Sequence, residues 1–320
     1  MAVYTEINDQ DVSEFASQYE IGHVIACKGI AEGIENTNYL LVTSAGTFIL
    51  TLYERRVRGE DLPFFLDLME YLAHRGIPCP TPVHGRDGAA LRSLAGRHAA
   101  IVTFLSGLWS RRPQPQHCFA LGQAMARLHL AGAAFPARRS NDLSVASWGP
   151  LLEAAARHGE TVADDLLGEI RDEIRALETL WPNTLPAGVI HADLFPDNVF
   201  FDGDQLTGLI DFYFACTDFF AYDLAIVLNA WCFEDDGSFN VTKARRLVRG
   251  YTSVRVLTPE EMSTLPILAR GAAIRFLVTR LYDWVNTPKN ALVTPKNPSE
   301  YIQRMRFHRD VRSIAAYGLE

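Results

Sequence analysis

The densest set of polar side chains in an apolar setting is His191-Ala-Asp193-Leu-Phe-Pro-Asp197-Asn198-Val-Phe-Phe201, followed after a turn by Gly208-Leu-Ile-Asp211-Phe212. Asp193 and Asn198 stand five apart across a loop that Pro196 keeps out of a helix. Asp211 ends an apolar run that reads as a strand pairing with the one that starts at Val199. That hairpin brings three oxygen-bearing side chains to one point. Asn and Asp oxygens are the hard ligands that Mg²⁺ accepts beside waters and phosphates. The other reading of the same residues is a buried polar turn without chemistry, with Asp197 capping the loop.

The elements around this cluster change character along the chain. Asn8 to Tyr19 reads as a short helix, and Gly22 to Gly29, Asn38 to Thr43 and Thr47 to Tyr53 read as strands with turn residues between them. A helix follows from about Leu62 to Arg75, with Pro63 in its first turn, and Phe65, Leu68, Met69 and Leu72 share one face. Pro78-Cys-Pro80-Thr-Pro82 cannot continue it, and Ala89 to Ser93 and His98 to Phe104 are again strand-like. From Gln116 the period turns helical, with helices predicted at Cys118 to Ala131, Val145 to His158, Val162 to Leu180, Val241 to Tyr251, Pro259 to Val285 and Tyr301 to Ala316. A β patch is set among them: Val189 to His191, Val199 to Phe201 and Leu206 to Ile210, with Asp202-Gly203-Asp204 as its tight turn. The expected class is α+β, a small antiparallel β lobe with one main helix joined near Ser106-Gly107 to a large, mainly helical lobe.

Composition narrows the function classes. The 320 residues are 48% hydrophobic and 21% charged, which excludes fibrous and low-complexity chains. With 30 Lys and Arg against 38 Asp and Glu the formal charge is −8, which repels phosphate backbones and anionic lipid, so no nucleic-acid or membrane partner is expected. Arg127, His129, Asp193 and Asp223 interrupt the most apolar regions, so no membrane span is expected. The N-terminus lacks a basic start followed by an apolar block, so a cytoplasmic protein is expected. Cys27, Cys79, Cys118, Cys216 and Cys232 show no zinc-like spacing and read as small buried residues of a reducing compartment.

The spacing H-x-D-x-x-x-x-N with a following I-D-F resembles the catalytic and metal loops of phosphotransferases with the protein-kinase-like fold, the aminoglycoside phosphotransferase and choline kinase superfamily. Leu121-Gly-Gln-Ala-Met-Ala-Arg-Leu-His129 and Asp218-x-x-x-x-Asp223-Leu-Ala resemble further segments of that superfamily. Within it, Gly33-Ile-Glu-Asn36-Thr-Asn38-Tyr, Phe48-Ile-Leu-Thr-Leu-Tyr-Glu54-Arg55 and Asp211-Phe-Tyr-Phe-Ala-Cys-Thr-Asp218-Phe look most like the bacterial homoserine kinases. The resemblance implies a two-lobed fold, with residues 1–106 as a nucleotide-binding lobe and 107–320 as a catalytic and substrate-binding lobe. It implies transfer of the γ-phosphoryl of ATP to the hydroxyl of L-homoserine, in threonine biosynthesis, by a monomer or homodimer. Asp193 is then the carboxylate that orients the hydroxyl and accepts its proton, for which an ordinary pKa near 4 would serve. Asn198 and Asp211 are the implied Mg²⁺ ligands, and His191 and Asp223 the implied braces of the loop.

Neither G-x-x-x-x-G-K-[ST] nor G-x-G-x-x-G occurs, which disfavours Walker-type ATPases and Rossmann dehydrogenases. The stretch from Gly29 through Gly33 to Asn38 lies between the first two strands, where backbone amides, Asn36 and Asn38 can meet phosphates; a plain hairpin turn is the alternative. Thr51 stands where the fold's relatives carry a phosphate-binding lysine. Lys28 and Arg55 are candidates to replace it, and Asp67 and Glu70 are candidates for its carboxylate partner. Adenine is expected at the backbone from Thr103 to Leu105. A zwitterionic substrate needs a cation and an anion, and the late helix offers Arg275 or Arg280, although Arg280 can instead pair with Asp283. Trp231, Tyr282 and Trp284 can form core or cage a quaternary ammonium. Two rivals remain open: a kinase for choline, ethanolamine or an aminoglycoside, and a nucleotide-binding module without transfer activity.

Overall fold

The computed structural model describes residues 5–30, 36–54, 57–157, 164–287 and 295–319. Residues 31–35 of the expected phosphate loop, Gly33 among them, and Arg55 lie outside the described residues. The chain divides into two compact units, Met1–Gly107 with Thr207–Tyr213, and Leu108–Leu206 with Phe214–Glu320.

The first unit starts with α1 (Asp9–Ala16), capped by Asn8, whose Oδ1 accepts the Asp11 N–H at 2.8 Å. Then come β1 (Val24–Gly29), β2 (Thr37–Thr43), β3 (Gly46–Tyr53), α2 (Leu62–Ala73), β4 (Arg92–Leu94) and β5 (Arg97–Thr103). The strands form an antiparallel sheet in the order β1-β2-β3-β5-β4. Strict alternation along β2 buries Thr37, Tyr39, Leu41 and Thr43 on one face. Tyr39 and Leu41 join Leu50, Leu52 and Ile101 in a core closed by Val12 and Phe15 of α1. In α2, Pro63 occupies the first turn and Phe65, Leu68, Met69 and Leu72 are buried, the face that the sequence pattern predicts.

The second unit contains β6 (Leu108–Trp109), α3 (Pro115–Gly132), α4 (Val145–Ala156), α5 (Asp164–Leu180), β7 (Ala187–Ile190), β8 (Val199–Asp202) and β9 (Gln205–Leu209), whose last residues lead into the first unit. It continues with β10 (Cys216–Phe219), α6 (Phe220–Trp231), α7 (Val241–Thr252), α8 (Pro259–Asn286) and α9 (Ser299–Asp310). The strands β6, β8 and β9 form one small sheet, and β7 pairs with β10 in another. Helices α3 and α7 cross backbone to backbone: a Cβ on Gly122 would lie 2.2 Å from the Leu247 carbonyl oxygen, and one on Gly250 2.1 Å from that of Phe119. Helix α8 starts in a capping box, in which Thr258 Oγ1 accepts the Glu261 N–H and the Glu261 carboxylate accepts the Thr258 N–H.

Several elements differ from the sequence reading: the short strand β6 has no counterpart in it, and the strand expected at Ala89 to Ser93 spans Arg92–Leu94. Strand β10 was not expected; Cys216–Phe219 pairs with Ile190–Ala187, a partner nearly thirty residues away that no local pattern announces. The helix predicted from Tyr301 to Ala316 stops at Asp310, and a short turn at Ile314–Tyr317 brings the Tyr317 hydroxyl to 2.7 Å from His308 Nδ1. Among the described residues no helix is long and apolar enough to cross a membrane. The five cysteines are free thiols, four of them buried.

Candidate active site

The loop from His191 to Asn198 links β7 to β8, and its backbone is held from several sides. Asp223, fully buried in the first turn of α6, accepts the N–H of His191 (3.0 Å) and of Ala192 (2.8 Å) on its two carboxylate oxygens. Between these amides and Asp193, Ala192 sits in the left-handed region at φ 63°, which a non-glycine residue adopts only at a cost. Arg275, fully buried in α8, donates from Nη1 to the Ala192 carbonyl. Trp231 at the end of α6 donates from Nε1 to the Leu194 carbonyl at 2.7 Å. Asn198 donates from Nδ2 to the Asp193 carbonyl (2.7 Å) and to its carboxylate (3.1 Å). His191 Nδ1 accepts the Asp193 N–H at 3.3 Å. The chain therefore fixes the Asp193 side chain through its backbone and through Asn198.

Asp223 is itself oriented by residues that sequence reasoning did not assign. His129 of α3 donates from Nε2 to Asp223 Oδ2 at 3.0 Å, and its Nδ1 accepts the Tyr251 hydroxyl of α7 at 2.8 Å. Arg255 donates to the Tyr251 hydroxyl and pairs with the buried Glu261. Burial pushes the Asp223 carboxyl up, but the hydrogen bonds from His129 and the His191 amide hold it below the ordinary carboxylate range. The only local signal was a histidine and an aspartate inside otherwise apolar helices.

Asp193 lies half-buried, and burial pushes its carboxyl up to about 6, against the pull of Arg275 and Lys296. This departs from the expected ordinary value near 4, and desolvation is the cause. A carboxylate at that value is a better proton acceptor. Asn198 spends its amide nitrogen on Asp193, which leaves the amide oxygen as the group able to meet a cation. Asp211 follows β9 at φ 65°, and its charge helps to raise the hydroxyls of Tyr53 and Tyr213, which lie 3.1 Å apart.

In the first unit, Asn36 Oδ1 accepts the Glu54 N–H (3.3 Å) and Asn38 Oδ1 accepts the Thr51 hydroxyl (2.8 Å). Both side-chain oxygens are engaged, so the amide nitrogens are the donors that remain for an anion. Thr51 is buried opposite Asn38 on β3. Lys28 is exposed on β1 opposite Leu40, and the pairing register places it on the same sheet face as Asn38 and Thr51. Glu70 turns to His84 Nε2 at 2.9 Å rather than to a lysine, and Asp67 is exposed. Thr103 closes β5, its N–H donating to the Thr81 carbonyl and its Oγ1 accepting the Thr81 N–H, each at 2.9 Å; Leu105 lies half-buried just beyond.

Arg275 and Arg280 are both committed inside the second unit. Arg280 pairs with Glu300, the partnership that sequence spacing offered to Asp283, and also donates to the Asn297 carbonyl at 3.1 Å. Trp231 is core, while Tyr282 and Trp284 are 37% and 41% exposed, so the three do not form a cage.

The sequence model of the phosphotransferase enzyme family matches residues 26–257. The chain belongs to this family. A homoserine kinase of Paramagnetospirillum magneticum is 59% identical to this phosphotransferase, with all of both chains covered. One of Rhodospirillum rubrum is 60% identical over 100% of this chain and 99% of the relative. Among solved structures, amicoumacin kinase hAmiN in complex with AMP-PNP, Ca²⁺ and Ami has a TM-score of 0.71 at 16% identity, covering 95% of this chain and 93% of that one. Choline kinase from Cryptosporidium parvum has a TM-score of 0.68 at 16% identity, with 94% of each covered. At that identity the likeness is one of fold, and it agrees with the α+β, protein-kinase-like architecture expected from the sequence.

Proposed function

We infer that this phosphotransferase is a homoserine kinase, moving the γ-phosphoryl of ATP to the side-chain hydroxyl of L-homoserine to give O-phospho-L-homoserine and ADP, a step of threonine biosynthesis in the cytoplasm. The observation that carries this reading is the full-length identity of about 60% to homoserine kinases, in a chain whose His191–Asn198 loop is fully braced. Asp193 orients the hydroxyl and accepts its proton as the new P–O bond forms and the bond to the ADP oxygen breaks. Asn198 and Asp211 are assigned as Mg²⁺ ligands, and their hard oxygens suit that ion. When bound, Mg²⁺ offsets the charge on the phosphate oxygens. Asp223 and His191 hold the loop, while Asn36 and Asn38 donate to phosphate and the Thr103–Leu105 backbone meets adenine. The first unit is thus read as nucleotide-binding and the second as catalytic.

The test is ADP release with Mg-ATP and a panel of L-homoserine, L-serine, L-threonine, choline, ethanolamine and kanamycin, with products checked by mass. A preference for L-homoserine of at least ~10² in kcat/KM is expected. Preference for another alcohol refutes the substrate, and ATP binding without any phosphorylated product refutes the transfer.

A further inference from the structure

A homoserine site must satisfy an ammonium and a carboxylate close to the attacked hydroxyl. Three bonds of about 1.5 Å separate that hydroxyl oxygen from Cα, so both charges must be met within a few ångströms of Asp193. Two cations act on Asp193, Arg275 and Lys296. The first is 1% exposed and donates to the Ala192 carbonyl, so it serves the loop from behind. Lys296 is the accessible one: its Nζ stands 5.2 Å from the centre of the Phe195 ring and 3.4 Å from Asp197 Oδ2, with about half of each charged side chain exposed. Asp197 is four residues beyond Asp193 on the same loop. Arg280 fixes the segment that carries Lys296 through the Asn297 carbonyl and Glu300.

We propose that Lys296 and Asp197 form the receptor for the amino-acid head of the acceptor, with Lys296 donating to its carboxylate and Asp197 accepting from its ammonium. This rests on the homoserine kinase reading and names the recognition within that site. The resting pair is long and half-exposed, a geometry in which an ion pair holds little free energy, so a zwitterion inserts between its members at small cost. Each charge of the pair then meets an opposite charge on the substrate, in hydrogen bonds stronger than neutral ones. Phe195, beneath Lys296 and edge-on to Phe276, limits where the ammonium of Lys296 can swing. An acceptor lacking either charge leaves one member of the pair unanswered.

The experiment compares the full-length wild type with Lys296→Met and Asp197→Asn on L-homoserine, on 3-aminopropan-1-ol, which lacks the carboxylate, and on 4-hydroxybutanoate, which lacks the ammonium. Affinity is read as KM, or as Ki for an acceptor that is not turned over, with KM for Mg-ATP measured in parallel. Lys296→Met is expected to lower the preference for L-homoserine over 3-aminopropan-1-ol roughly 10- to 100-fold, and Asp197→Asn to lower the preference over 4-hydroxybutanoate by a similar factor. Unchanged preference ratios, or an equal loss on all three acceptors, overturn the proposal. If the wild type does not phosphorylate L-homoserine, the functional reading fails by itself. Calorimetric binding of L-homoserine then decides the receptor: binding weakened in both variants supports it, and unaltered or absent binding overturns it.

Discussion

Replacing Asp223 by Asn tests whether a buried carboxylate is what shapes the reactive loop. Asn can keep an oxygen toward the Ala192 N–H, now at 2.8 Å, but its NH₂ group then faces the His191 N–H and His129 Nε2, both now at 3.0 Å. His129 can adapt by moving its proton to Nδ1 and donating to the Tyr251 hydroxyl. The His191 amide has no such remedy. One buried N–H without an acceptor costs about 1–3 kcal/mol, and the loss of charge-assisted bonding brings the total to about 2–3 kcal/mol. For a unit of this size that lowers the melting midpoint by roughly 5–10 °C. Asp223→Ala, which abandons all three donors, is expected to cost at least ~4 kcal/mol. Because the left-handed Ala192 peptide is held by these bonds, kcat should fall at least ~10-fold in Asp223→Asn, with KM for ATP little changed. Thermal and urea unfolding beside steady-state kinetics give both numbers. An Asp223→Asn enzyme with wild-type midpoint and kcat would mean that the buried carboxylate does not shape the loop.

Other outcomes follow from the same geometry. With the Asp193 carboxyl pushed up to about 6, the proton-accepting form is lost as pH falls through that value, so kcat/KM should drop tenfold per unit below it; a profile flat to pH 5 contradicts the assignment. His308 is buried and held neutral, donating from Nε2 to Asn229 Oδ1 and accepting the Tyr317 hydroxyl, and burial pushes its imidazole down to about 3. The unfolded chain therefore binds one more proton between about pH 6.5 and 3; stability is full above 6.5 and declines by about 1.4 kcal/mol per unit below it, which urea titrations at pH 7 and 5 will measure as about 2 kcal/mol. Gly122→Ala drives a Cβ to 2.2 Å from the Leu247 carbonyl, and backbone cannot step aside as a side chain does, so a loss of at least ~2 kcal/mol or of soluble expression is expected.

What the sequence made legible were features with a local physical signature. Periodicity marked the buried face of α2, prolines punctuated its ends, and oxygen-bearing residues stood out against the apolar runs around the His191–Asn198 loop. Partnerships across long separations had no such signature. His129 meets Asp223 from 94 residues away and Tyr251 from 122, and β10 finds β7 with only four residues of mixed polarity. The late helix shows the limit well: the sequence offers Arg275 or Arg280 to a substrate and Asp283 to Arg280, but packing decides that one binds the Ala192 carbonyl and the other Glu300. Lys296 lay in a short polar stretch between two prolines, where a cation has no pattern to distinguish it from a solvated one.

The most direct measurement is the turnover of Asp193→Asn with Mg-ATP and L-homoserine, taken with its unfolding midpoint. The hydrogen bond from Asn198 to the Asp193 carbonyl and the clamps on the Ala192 peptide do not depend on the carboxylate, so the variant should fold as the wild type does. A kcat lowered at least ~10²-fold at an unchanged midpoint is expected, the signature of a lost positioned base. Near-wild-type formation of O-phospho-L-homoserine by that variant would contradict this role of Asp193.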